Sequence, residues 1–240
     1  MANTKTVSEE TFSLSSNLFK NLVSAISVVV EEAQFTSSPD GTTFRAMDPS
    51  HVNLLDVLIP SAKTEQEHKW CLRVDDLQKI AARTKKEDVV QVTVGKDVVT
   101  ISLVGKRKRV YENPTLESTN TDTPLPKMDL LASFSTDREE FLGLLDDIAV
   151  KSNHVRIGMK NRLATLSGKG DSGSVNITLS RTLSDYEADA IYSIDNLQKH
   201  LKSISVGSVR FNYGPKMPVR IDSGLDDCEI HYYIAPRVQE

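Results

Sequence analysis

Apolar residues along this chain obey two periods in turn. Thr11 to Leu14 alternates, and then Phe19, Leu22, Val23 and Ile26 fall at i, i+3, i+4 and i+7, one stripe of a helix. Alternation resumes at Ala33 to Phe35, Thr42 to Ala46 and Asn53 to Ile59, which predicts strands, with the turn SPDG at Ser38 to Gly41 and Pro60 as punctuation. Lys69 to Val74 makes a further strand, and a helix begins at DDLQK. Val89 to Val94, the turn Gly95 to Asp97, Val98 to Val104 and a short strand near Arg107 to Glu112 complete the half. The second half follows the same plan. Phe134 precedes a helix over Asp137 to Val150, where Thr136 and Glu139 fit a capping box. Strands are predicted at His154 to Gly158, Arg162 to Ser167 and Ser174 to Arg181, the last two joined by the glycine-rich turn GKGDSG. After Asp189 to Tyr192 come a helix, then Val209 to Tyr213, Val219 to Ser223 and Glu229 to Ile234.

The two halves also share letters. RVDDLQKIA (Arg73 to Ala81) returns as SIDNLQKHL (Ser193 to Leu201): a shift of 120 residues carries Asp75, Leu77, Gln78 and Lys79 onto Asp195, Leu197, Gln198 and Lys199. A shift of 122 carries Phe12, Phe19, Leu22 and Ile26 onto Phe134, Phe141, Leu144 and Ile148. Two independent patterns on nearly one offset imply a duplicated unit. The fold class expected is α+β, two tandem similar domains, each with two helices on antiparallel sheets. Domain boundaries are expected at 11–112 and 128–240, after a flexible lead-in over 1–10. The connector, 113–127, is rich in Thr, Asn and Pro and lacks periodicity.

Composition narrows the class of function. The 240 residues are 39% hydrophobic and carry a formal charge of −4, so no overall basic excess announces nucleic acid, although a local basic face is compatible with it. Cys71 and Cys228 form neither a metal spacing nor a disulfide framework, which suits a reducing interior. No apolar run reaches the roughly 18 residues of a membrane span, and MANTKTVSEE lacks a signal peptide's apolar stretch, so an intracellular protein with no membrane partner is expected. SGKGDSG lacks the spacing of a phosphate-binding loop and reads as a hairpin turn. The five histidines never pair at zinc spacing. The neighbouring carboxylates Asp75 and Asp76, Asp146 and Asp147, and Asp226 and Asp227 do not face one another when on a helix, and helix-start acids serve caps and the macrodipole. No enzyme activity, metal or cofactor is expected; a hydrolase using a carboxylate pair is the remote option.

FRAMDPSHVNLLDV (Phe44 to Val57) resembles the hallmark segment of the sliding clamps, the proliferating cell nuclear antigen family, in a form closer to archaeal versions. IHYYIAPRV (Ile230 to Val238) resembles that family's closing strand and tail, and the connector ending in PLP stands where such clamps have their interdomain loop. The resemblance implies the DNA clamp fold and a trimeric ring, of identical or homologous subunits, around duplex DNA without sequence readout. It implies a processivity factor tethering DNA polymerase, clamp loader, flap endonuclease and DNA ligase, with chromosomal DNA in the nucleoid or nucleus. Twelve helices at about 10 Å spacing would make a ring about 120 Å around and about 38 Å across, wide enough for a duplex and water. The other reading is a ring-forming interaction scaffold of the same fold that is not loaded on DNA.

Carried over by motif, the resemblance implies a pocket for partner peptides, each a glutamine followed by aliphatic and aromatic anchors. Its residues are Met47, His51, Val52 and Leu54, Leu125 and Pro126, Pro218, and Tyr233, Ala235 and Pro236. It places Lys20, Lys79, Arg83, Lys199, His200 and Lys202 toward DNA. The third helix departs from the pattern: Asp146 stands where the family often has a basic residue, and Arg138 is surrounded by acids. At the subunit interface the resemblance pairs Arg107, Lys108, Arg109 and Tyr111 with Val175, Ile177 and Leu179 of the next subunit, the KRKR run meeting acids across the junction.

Overall fold

A computed structural model describes residues 9–117, 123–181, 186–225 and 227–237. Most of the lead-in (1–8), the middle of the connector (118–122) and the last three residues lie outside the described residues. The chain divides into two compact units: Met1–Ala46 with Asp56–Thr123 and Asp226–Cys228, and Met47–Leu55 with Pro124–Leu225 and Glu229–Glu240.

The first half of the chain runs β1 (Glu10–Ser15), α1 (Ser16–Ser27), β2 (Glu32–Ser38), β3 (Gly41–Met47), β4 (Asn53–Ile59), β5 (His68–Arg73), α2 (Val74–Arg83), β6 (Val89–Val94), β7 (Val98–Val104) and β8 (Lys108–Pro114). Its strands lie in the orders β1-β6-β7-β8 and β5-β2-β3-β4. Period-two burial drives this: Val90, Val92, Ile101 and Leu103 are all buried, while Val89 and Val98 stand out in water. Helix α1 starts where Ser15 accepts the Leu18 N–H at 3.0 Å, and it buries Leu18, Phe19, Leu22 and Ile26 beside α2. Phe35 stacks on Trp70 with ring centroids 4.2 Å apart. The connector's beginning is not loose, since Leu116 N–H donates to the Cys71 carbonyl at 2.9 Å.

The second half of the chain runs β9 (Ala132–Asp137), α3 (Arg138–Ala149), β10 (His154–Lys160), β11 (Leu163–Gly170), β12 (Gly173–Arg181), β13 (Ala188–Ser193), α4 (Ile194–Lys202), β14 (Ser208–Tyr213), β15 (Val219–Leu225) and β16 (Cys228–Ile234). The duplication holds strand by strand. The order β9-β14-β15-β16 answers β1-β6-β7-β8, and β13-β10-β11-β12 answers β5-β2-β3-β4. The core differs in detail, for Phe134, Phe141 and Phe211 cluster here, Phe134 on Phe211 at 4.9 Å.

Three expectations change. β9 is a full strand where the pattern showed only Phe134, although the 122-residue shift carries β1 onto it from end to end. The capping box is displaced by one residue: Asp137, not Thr136, caps α3 and accepts the Glu140 N–H at 3.0 Å, while Thr136 donates to the Asp137 carbonyl. Half of the glycine-rich turn belongs to β11, because Gly168 and Gly170 sit where a Cβ would strike Ile148 and the Lys151 carbonyl; the turn itself narrows to residues 171–172.

Gly41 adopts φ +132°, and a Cβ there would lie 2.6 Å from the Ile59 carbonyl. Gly41→Ala therefore lowers the urea-unfolding free energy by about 1–3 kcal/mol. Gly143, helical with nothing within 4 Å of an added Cβ, responds oppositely: Gly143→Ala raises it by about 0.5–1 kcal/mol.

Candidate partner-peptide site and helix faces

The hallmark segment is folded by one carboxylate. Asp48 accepts the N–H groups of Val52 (2.9 Å) and Asn53 (2.8 Å), the Asn53 side-chain amide (3.0 Å) and the Ser50 hydroxyl (2.5 Å). Partial burial alone raises its pKa, but these donors outweigh it and hold Asp48 below the ordinary carboxylate value. So tight a loop drives His51 into the left-handed region, φ 57°, and sets its Nδ1 3.2 Å from the Met47 sulfur. His51 is exposed, Met47 and Val52 are half-buried, and Leu54 is buried.

The tail meets this loop. Ala235 N–H donates to the Val52 carbonyl at 2.8 Å, which brings Ala235 and Pro236, both half-buried, beside the hallmark residues. Tyr233, 9% exposed, is buried on β16, and Pro218, half-buried, leads into β15. Leu125 and Pro126 stand exposed on the connector stretch. The end of that stretch is fixed where the Asp129 carbonyl lies 2.9 Å from the position of a Cβ on Gly214.

The sequence reading missed what holds Tyr233. The Arg220 guanidinium hydrogen-bonds Tyr233 and pairs with Asp222 at 2.8 Å; Asp222 also takes His231 Nδ1 and the Asn212 amide, each at 2.7 Å. Burial pulls the Asp222 pKa up, and the bonds from His231 and Arg220 overcome it. The available signal was period two: residues 220 and 222 on β15 and 231 and 233 on β16 share the face opposite the buried Ile221, Ile230 and Tyr232.

Of the six residues placed toward DNA, Lys20, Lys79, Arg83, Lys199 and Lys202 are exposed on their helices. Lys79 also pairs with Asp76 at 2.9 Å. His200 is a correction: it is 1% exposed, its ring 4.9 Å from that of Tyr232, with both nitrogens unpaired, so it offers nothing to a phosphate. Burial, helped by the neighbouring Lys199, pushes its pKa down to about 4 against a weaker pull from Asp48. Asp146 has a structural reason after all, since it accepts from the Gln198 amide at 2.7 Å and ties α3 to α4. Arg138 turns inward to the Val206 and Leu201 carbonyls.

The residues assigned to the subunit interface lie on β8, with Arg107 just before it, and on β12; these are the end strands of their sheets. Tyr111 is half-buried, as are Val175, Ile177 and Leu179, and Arg107 and Lys108 are exposed. Arg109, half-buried, has its guanidinium engaged within its own unit by the Asp88 carboxylate and the Arg83 carbonyl. Among the described residues no group of three His, Cys, Asp or Glu side chains is placed to hold a metal ion, and no helix is long and apolar enough to cross a membrane. Cys71 and Cys228 are both buried.

Unfolded chains bind a proton at a histidine near 6.5, whereas His200 in the fold resists it until about pH 4. Its contribution to stability is whole above 6.5 and falls as pH drops through that window. His200→Leu flattens this slope, by up to about 3 kcal/mol between pH 7 and pH 4, in urea-unfolding curves collected across the range.

The family model described as proliferating cell nuclear antigen, N-terminal domain, matches residues 9–130. A DNA polymerase sliding clamp of Cenarchaeum symbiosum (strain A) is 33% identical over 234 residues, covering 91% of this chain and 94% of that relative. The fold is that of A. fulgidus PCNA, solved with the C-terminal region of FEN-1 (TM-score 0.86, 22% identity, 96% of this chain and 99% of that one). It is also that of a chain in the PCNA2–PCNA3 complex of Sulfolobus tokodaii (TM-score 0.84, 20% identity, 96% and 100%). The family model over half of the chain, the 33% identical relative and the shared fold agree: the chain belongs to the proliferating cell nuclear antigen family, the DNA polymerase sliding clamps.

Proposed function

We propose that this protein is a sliding clamp: copies of it, or it with homologous subunits, close as a trimer around duplex DNA and tether DNA polymerase and other replication and repair enzymes. The observation that carries this is the duplicated unit itself, shared along nearly the whole chain with relatives named for that role. Its hold on DNA is topological. Exposed Lys20, Lys79, Arg83, Lys199 and Lys202 attract phosphates without reading bases. The clamp performs no chemical step of its own, and its place is with the chromosomal DNA.

Partners dock through short peptides, a reading supported by the C-terminal region of FEN-1 bound to A. fulgidus PCNA. Their apolar anchors sit among Met47, Val52, Leu54, Pro218, Tyr233, Ala235 and Pro236, under Leu125 and Pro126, with Arg220 positioning the tyrosine. Subunits join by β8 of one copy pairing with β12 of the next, since each ends its sheet with an unused row of backbone groups.

On nicked circular DNA the loaded protein stays bound through gel filtration and is lost once the circle is cut; equal retention on both forms would favour an unloaded scaffold. Replacing Tyr233 and Leu125 together with Ala abolishes polymerase stimulation while light scattering still reports the wild-type oligomer; unchanged stimulation rejects the docking site.

A further inference from the structure

The outward face of the order β12-β11-β10-β13 carries a polar depression of about 1150 Å³. Two neighbouring cross-strand rows floor it. Arg156 lies in register with Ser167 and Ile191, and Lys169 with Ser174, while His154 begins β10 beside them. The tail forms one wall: Arg237 N–H donates to the Ile191 carbonyl at 2.7 Å, and its guanidinium reaches His154 Nε2 at 2.7 Å. Burial first, and then that guanidinium, lower the His154 pKa, so at neutral pH the imidazole accepts this bond rather than opposing it.

The charges do not balance internally. Arg156 is answered by Asp189 at 2.8 Å. Among the described residues no carboxylate pairs with Lys169 or Arg237, and Asp171, exposed beyond the end of β11, is the acid left at the lining. Serine hydroxyls at 152, 167 and 174 add donors, and no Phe, Tyr or Trp is among the lining residues, so the broad stacking platforms of a nucleobase site are missing there. The tail also sets the location. Ala235 bonds to the hallmark loop, and Arg237, two residues on, walls the depression. At about 3.3 Å per residue, a peptide lying along Ala235 and Pro236 reaches the depression within a few residues of its anchors.

We propose that the depression receives an acidic stretch flanking the partner's anchor motif, its Asp or Glu carboxylates held by Lys169, Arg237 and the serine hydroxyls. This rests on the docking reading above and adds a charge requirement to it.

The test uses the full chain and three labelled synthetic peptides: the anchor motif alone, and the same motif with four aspartates at either end. In fluorescence anisotropy at low ionic strength, one extended peptide binds about fivefold tighter than the bare motif. The gain disappears in Lys169→Glu and shrinks in Arg237→Ala, while the bare motif binds all three proteins alike. No gain from either extension, or a gain that survives both substitutions, overturns the proposal. Failure of the bare motif to bind wild-type protein instead overturns the docking reading. In that event carbodiimide coupling of a tetra-aspartate peptide, located by mass spectrometry, still decides: amide formation concentrated at Lys169 supports an acid-binding depression. Coupling spread evenly over exposed lysines, or a Lys169 protected by a duplex oligonucleotide but not coupled by the peptide, overturns it.

Discussion

A half-buried carboxylate must find donors, and Asp48 finds four of them inside its own loop. Together with the backbone bonds from His51 N–H to the Asp48 carbonyl and from Asp48 N–H to the Asn53 carbonyl, this collection holds His51 at a positive φ and keeps the Val52 carbonyl turned to the tail. The tail in turn positions Ala235, Pro236 and Arg237. The candidate docking residues are therefore assembled by a turn, from segments nearly two hundred residues apart in the chain, and the loop's ionised acid is the fixed point from which they are aligned.

A second relay works below the same surface. Tyr233 is oriented by Arg220, Arg220 by Asp222, and Asp222 by His231 and Asn212. Each charge is met by an opposite charge or a hydrogen bond, so a phenol that would otherwise wander is held in one orientation beside the candidate docking residues. Rigidity of this kind favours binding short peptides, because the ordering entropy falls on the ligand alone.

Much of the fold was legible. β4, β6 and β7 begin and end where alternation begins and ends, because their buried faces are rows of Val, Leu and Ile, with Asn53 leading that of β4. β9 was hidden because ASFSTD offers few apolar residues to count; only the repeat disclosed it. His200 looked like a solvent-facing cation because Lys199 and Lys202 are, yet at three residues past Leu197 it falls on the buried stripe of α4. The bonds of Arg109 and Asp146 were illegible for a shared reason: a charge on a surface element is silent about its partner, and the partners, Asp88 just before β6 and Gln198 on α4, are remote in sequence. The Tyr233 relay spans three strands, and no linear spacing exposes it.

Val110, 52% exposed near the middle of terminal strand β8, shows an aliphatic flank next to amides and carbonyls with no neighbour beyond them. Such a margin is adhesive by nature. Under the proposed assembly a companion masks this rim, and a copy left without one offers any passing strand edge a place to stack.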